Sequence, residues 1–91
     1  MTTDNFFKTA KSEILKHLCN ENNEELFEVI PVWYCKTIQN HKGLFIIKDL
    51  VTGLIANHFI EATYHGDIGE MYLDDYQKVN KFIIKNIGDN T

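Results

Sequence analysis

The chain has 91 residues and a net charge of −4, and all nine of its basic residues are lysine. A chain of that length makes one domain, 1–91, and buries only about 60–65% of the surface its unfolded form exposes, so the core is small. With no arginine there is no bidentate fork for phosphate or guanine, and an acidic balance repels a polyanion; nucleic acid is not an expected partner.

Cys19 and Cys35 are the only cysteines and form no C-x-x-C pair. The chain opens on polar Met1-Thr2-Thr3-Asp4-Asn5, and no apolar run approaches the roughly 20 residues that span a bilayer. The expectation is a cytoplasmic protein with reduced thiols and no membrane partner.

Residues 4–19 read as a helix. Phe7, Ala10, Ile14 and Leu18 recur at helical spacing, flanked by Phe6 and Leu15, and Asp4 suits the N-cap. Polar, acidic Asn20–Glu25 reads as an exposed loop. From Leu26 onward β-branched and aromatic residues dominate. Val32–Gln39 is a strand candidate, with Pro31 at its start or on a sheet edge, because proline cannot donate to a ladder. Asn40–Gly43 reads as a hairpin turn, Leu44–Leu50 as a second strand, Thr52-Gly53 as a turn and Leu54–Tyr64 as a third strand. Short loops make these neighbours antiparallel. His65–Gly69 is a loop, and Glu70–Tyr72 is a short fourth strand or an extended lead-in. Asp74 or Asp75 would then cap a second helix over 75–87. Its stripe is Tyr76, Val79, Ile83 and Ile87, and Gly88 takes the C′ position. The expected fold is α+β, in the order α-β-β-β-(β)-α: an antiparallel sheet of three or four strands with N- and C-terminal helices packed on one face.

Two segments are chemically dense, Val32–Lys42 and Thr63–Tyr76. Together they hold the one Trp and all four Tyr. Nucleophilic catalysis has little to work with there. Ser12 is the one serine and lies in the first helix, and Cys35 beside Trp33 on a strand reads as a small buried hydrophobe. Cys35, His41, His58 and His65 match no zinc spacing; His41 and His65 fall in turns where exposed polar residues belong. The acids Glu61, Asp67, Glu70, Asp74 and Asp75 are crowded enough to raise a pKa. Helix capping and a solvated loop account for most of them, and the remainder favours an acidic interaction surface over catalysis. No catalytic residue, metal ligand or cofactor is therefore assigned, and a small hydrolase using Glu70 or Asp67 is a minor third reading. Gly66 and Gly69 lack the context of a phosphate loop and serve turn geometry. Trp33 and Tyr76 read as core aromatics. The candidate binding set is Trp33, Lys36, Gln39, Asn40, Lys42, Tyr64, Asp67 and Glu70: amide and ammonium donors, two carboxylates, and aromatics with hydrogen-bonding tips.

These segments resemble a family of small uncharacterised proteins of bacteriophages and prophages, mostly from Gram-positive hosts. The resemblance rests on Val32, Trp33, Cys35, Lys36, Thr37, Gln39, Asn40 and Lys42 in the pattern V-W-x-C-K-T-x-Q-N-x-K. It continues in T-Y-x-G-D-x-x-E-x-Y-L-D-x-Y with Thr63, Tyr64, Gly66, Asp67, Glu70, Tyr72, Leu73, Asp74 and Tyr76. It implies a small accessory phage protein in the host cytoplasm and brings no catalytic residue.

The expected activity is non-enzymatic. The protein would bind a host or phage protein with a basic surface, inhibiting a defence or replication factor, since an acidic, arginine-free surface suits a basic groove. The alternative is a module that binds or sequesters a small anionic ligand of nucleotide type through Lys36, Gln39, Asn40, Lys42, Tyr64 and Asp67. A small core and apolar strands also favour a homodimer.

Overall fold

The computed structural model describes residues 1–19 and 26–88; the loop expected at Asn20–Glu25 lies outside them. One helix, α1 (Thr3–Leu18), precedes four strands: β1 (Phe27–Thr37), β2 (Asn40–Asp49), β3 (His58–His65) and β4 (Glu70–Gln77). They form one antiparallel sheet in the order β1-β2-β3-β4. The fold is α+β with a four-stranded antiparallel sheet.

The helix starts and ends one residue earlier than the expected 4–19. Thr2, not Asp4, is the N-cap: its hydroxyl accepts the Asn5 N–H at 3.1 Å. Asp4 sits in the first turn, where a carboxylate complements the helix dipole. The buried stripe is Phe6, Ala10, Ile14 and Leu15, which joins Val29, Phe45, Ile47, Ile60 and Ala62 in a single core cluster. Phe7 stays at the margin of that cluster. One face of the sheet is thereby covered by α1. The opposite face carries no element among the described residues.

The first hairpin is tighter than expected. Thr37 pairs with Asn40, so the turn is Ile38-Gln39, and Asn40–Gly43 belong to β2. Gly43 is needed for room, not for turning: a Cβ there would stand 3.0 Å from the Phe45 ring and 3.1 Å from the Phe6 ring. The turn instead places Ile38 at φ 56°, a left-handed conformation that crowds a β-branched side chain. β1 begins at Phe27, five residues before the expected start, and Pro31 lies inside it. That is tolerated because β1 is an edge strand. β3 begins only at His58. Before it, Asp49 organises a turn by accepting the Val51 N–H at 2.8 Å and the Thr52 N–H at 3.2 Å.

A bulge in β1 reassigns the first dense segment. Pro31 pairs with Phe45 but Trp33 pairs with Leu44, which leaves Val32 as an extra residue. One extra residue flips the side-chain alternation. Val29 faces α1, and without the bulge Trp33 would too. With it, Tyr34 turns to α1 and Trp33 to the uncovered face, where it is 48% exposed. Cys35 is exposed as well, not buried. Tyr76 is likewise no core residue, at 52% exposure.

The second helix is absent. Glu70–Gln77 pairs with β3 residue for residue, from His65↔Glu70 to His58↔Gln77. Met71 and Leu73 pack against the core cluster while Tyr72 and Tyr76 alternate outward. Asp74 and Asp75 are thus mid-strand residues and cap nothing; Asp75 Oδ1 lies 2.8 Å from His58 Nδ1. Residues 78–88 form neither helix nor strand. They are rich in isoleucine and asparagine, both weaker helix formers than alanine or leucine, and among the described residues no tertiary surface packs against them to fix a helix. Gly88 has φ 73° but terminates no helix.

Candidate functional site

Antiparallel order brings the two dense segments to the same end of the sheet. The register runs in rows across the four strands. Cys35, Lys42, Thr63 and Tyr72 make one row; Trp33, Leu44, Glu61 and Asp74 make the next. Both rows lie on the uncovered face. At the sheet's end the two turns touch. Gly66 N–H donates to Asn40 Oδ1 at 3.0 Å, and a Cβ on Gly66 would fall 2.3 Å from the Gln39 carbonyl oxygen. Only glycine permits that approach.

Trp33, Cys35, Thr37, Asn40, Lys42, Thr63 and His65 line a half-open depression of about 290 Å³ on this face. Its rim is charged and aromatic. Lys42 Nζ lies 3.9 Å from Glu61 Oε1, the His65 and Tyr72 rings are 4.9 Å apart, and the Tyr72 hydroxyl donates to Glu70 Oε1 at 2.8 Å. That bond and the Glu70 charge hold the Tyr72 phenol above its usual range, with a smaller contribution from Asp67. The nearby charges of Glu61 and Asp74, without a hydrogen bond, also raise Tyr76. The rim is therefore a set of neutral phenols set among carboxylates, with Lys42 beside them. Two further depressions, of about 430 and 350 Å³, flank α1 on the other side; the larger takes in Lys11 and the smaller Glu13 and His17.

The eight residues singled out from the sequence divide. Trp33, Asn40 and Lys42 share the depression, Glu70 braces Tyr72 at its edge, and Gln39 and Asp67 sit in the two turns. Lys36 and Tyr64 are on the opposite face, beside α1. Sequence reasoning missed Thr63, His65, Tyr72 and Tyr76 as members of the uncovered face; the period-2 alternation of Glu70–Gln77 is the signal that carries Tyr72 and Tyr76, and pairing with β4 places Thr63 and His65 beside them.

It also misplaced His41. That residue is 1% exposed, stacked on Phe6 with ring centroids 5.3 Å apart. Nε2 lies 3.1 Å from the Met1 carbonyl oxygen, which can only accept, so Nε2 carries the proton. Nδ1 then accepts from the Tyr34 hydroxyl at 2.6 Å, and Tyr34 in turn accepts from Thr3 Oγ1 at 3.1 Å. This chain of bonds ties the segment before α1 to both strands of the first hairpin. Burial lowers the His41 pKa, Lys36 and the N-terminal ammonium lower it further, and the Met1 carbonyl partly offsets them. His41 is a structural histidine held neutral, not an exposed turn residue. Among the described residues no three His, Cys, Asp or Glu side chains gather as a metal-ligand set.

Residues 5–86 match a family described as a family of unknown function, DUF6275. The chain belongs to that family. The match runs from α1 through both dense segments and past β4, so it takes in the uncovered face and most of the segment that follows it. No curated protein and no solved structure matches the chain. No helix among the described residues is long and apolar enough to cross a membrane.

Proposed function

We propose that the chain is a non-enzymatic accessory protein of phage or prophage origin that acts in the host cytoplasm by binding another protein. The uncovered sheet face is its working surface. The observation that carries this reading is the composition of that face: Trp33, Tyr72 and Tyr76 stand about half exposed beside Glu61, Glu70 and Asp74. Aromatics with polar tips are the residues that anchor protein interfaces, and a carboxylate surround selects a basic partner. The partner class is a host defence or replication factor, or a phage protein, that presents a basic, partly apolar surface. Capture from phage-infected host lysate on the wild-type chain and on Trp33→Asp tests it. A protein retained by the wild type and lost by the variant supports the reading; a wild type that repeatedly retains nothing overturns it.

The depression gives a second reading some standing. Thr37, Asn40, Thr63, His65 and Lys42 offer hydroxyl, amide, imidazole and ammonium groups to a small anionic ligand of nucleotide type. Its half-open shape favours a protein contact, since small-ligand sites enclose most of their ligand. Thermal-shift screening against nucleotides decides: a raised melting temperature that Lys42→Ala abolishes supports the ligand reading, and no stabilisation disposes of it.

A further inference from the structure

Among the described residues, two apolar surfaces have nothing packed on them. The first is the segment after β4, where Val79, Phe82, Ile83, Ile84 and Ile87 are 70–86% exposed. The second is the uncovered face, where Ile30 pairs with Ile46, Trp33 with Leu44 and Phe59 with Tyr76. We propose that residues 78–88 of one chain lie across the uncovered sheet face of a second copy, and that the exchange is reciprocal. This deepens the proposed function, because it rests on that face being a docking surface and names its first occupant.

The two surfaces are complementary in charge. The segment 78–88 carries Lys78, Lys81 and Lys85 and no acid. The face carries Glu28, Glu61, Glu70 and Asp74 against Lys42 and Lys48. The segment is also long enough. Eleven extended residues reach about 36 Å, and four strands span about 15 Å. Its start is tied to its own domain and its apolar side chains are not buried there. Lys78 N–H donates to the Asn57 carbonyl at 3.3 Å and Asn57 Nδ2 donates to the Lys78 carbonyl at 3.2 Å, which fixes the exit from β4. Beyond that anchor the side chains are exposed in the presence of their own sheet face. The radius of gyration is 15.6 Å, against about 12 Å for a compact chain of this length. An arm held off its own domain meets an equivalent face on another copy, and a two-fold axis lets each copy give and receive one arm.

Sedimentation equilibrium of the full chain tests the exchange. The wild type is expected at twice the 10.6 kDa chain mass. Phe82→Asp/Ile83→Asp alters only exposed arm residues, so it should keep the wild-type far-UV circular dichroism and sediment as a monomer. Trp33→Asp blocks the receiving face and should also be monomeric. Mixed together, these two variants should form a heterodimer, because one intact arm still meets one intact face. A synthetic peptide of residues 78–88, added to Phe82→Asp/Ile83→Asp, should shift the emission of Trp33, the sole tryptophan, to the blue. A monomeric wild type, or a dimer that survives Phe82→Asp/Ile83→Asp, overturns the exchange. A monomer whose amides at 79–87 are protected from hydrogen exchange also overturns it, in favour of an arm folded on its own face. Any of these leaves capture of a basic partner through Trp33 standing; loss of that capture with the dimer intact sinks the functional reading alone.

Discussion

His41 offers the most quantitative handle on the fold. Replacing it with phenylalanine keeps the ring against Phe6 and roughly keeps the volume, but removes both hydrogen bonds, leaving the Met1 carbonyl and the Tyr34 hydroxyl without that partner. Each such bond is worth about 1 kcal/mol net, so His41→Phe should cost about 2 kcal/mol. For a domain of this size that lowers the melting temperature by about 8–16 °C. The pH dependence separates this account from a generic core lesion. Burial depresses the folded-state pKa of His41 below its unfolded value near 6.5, so the folded form resists the proton that the unfolded form accepts. Stability is then complete above about pH 6.5 and declines as pH falls toward the folded pKa, by about 1.4 kcal/mol per pH unit. Protonation would also force the relay to reverse, with Nδ1–H donating to Tyr34 and Tyr34 to Thr3. Urea melts of both proteins from pH 7.5 to 5 are the assay. The difference in stability between them should shrink as pH falls, because His41→Phe has no proton to refuse. Parallel losses in the two proteins would refute the neutral, buried histidine.

Three further outcomes follow from named geometry. Ile38→Asn relieves a β-branched residue at φ 56° that is 84% exposed and packs little; it should raise stability by about 1 kcal/mol in the same melts, and a loss would mean that Ile38 makes an unseen contact. Gly66→Ala places a methyl against the Gln39 carbonyl, forces the two turns apart, and should destabilise by about 2 kcal/mol; a neutral result would show that the turns do not touch. With a thiol reagent, exposed Cys35 should react at least tenfold faster than Cys19, whose thiol is half-buried and raised in pKa by burial; equal rates would contradict the outward turn of β1 after its bulge.

The sequence carried α1, the antiparallel strands and the edge position of Pro31, because each rests on local spacing or on short connections. It misled where two periods competed. Tyr76, Val79, Ile83 and Ile87 satisfy a helical stripe, while Met71, Leu73 and Asp75 satisfy alternation, and pairing with β3 decides for the strand as far as Gln77. The polar run at Asn40–Gly43 imitated a turn, yet the space under Phe6 and Phe45 is what Gly43 serves. The exposure of Trp33 was illegible for a different reason: it depends on one unpaired residue, Val32, whose effect exists only once β2 is in register. For the site, both dense segments were visible as sequence, and Asn40 reaching Gly66 confirms that the chain brings them together. The division of Lys36 and Tyr64 onto the other face follows from the same bulge and register.

Trp33 reports on whether the uncovered face binds a protein. Acrylamide quenching of its emission should be strong in the Phe82→Asp/Ile83→Asp chain, where the face is bare, and should fall sharply when the protein captured from infected lysate is added. Emission that stays as quenchable in the complex as in the free chain would place the partner elsewhere and contradict the account.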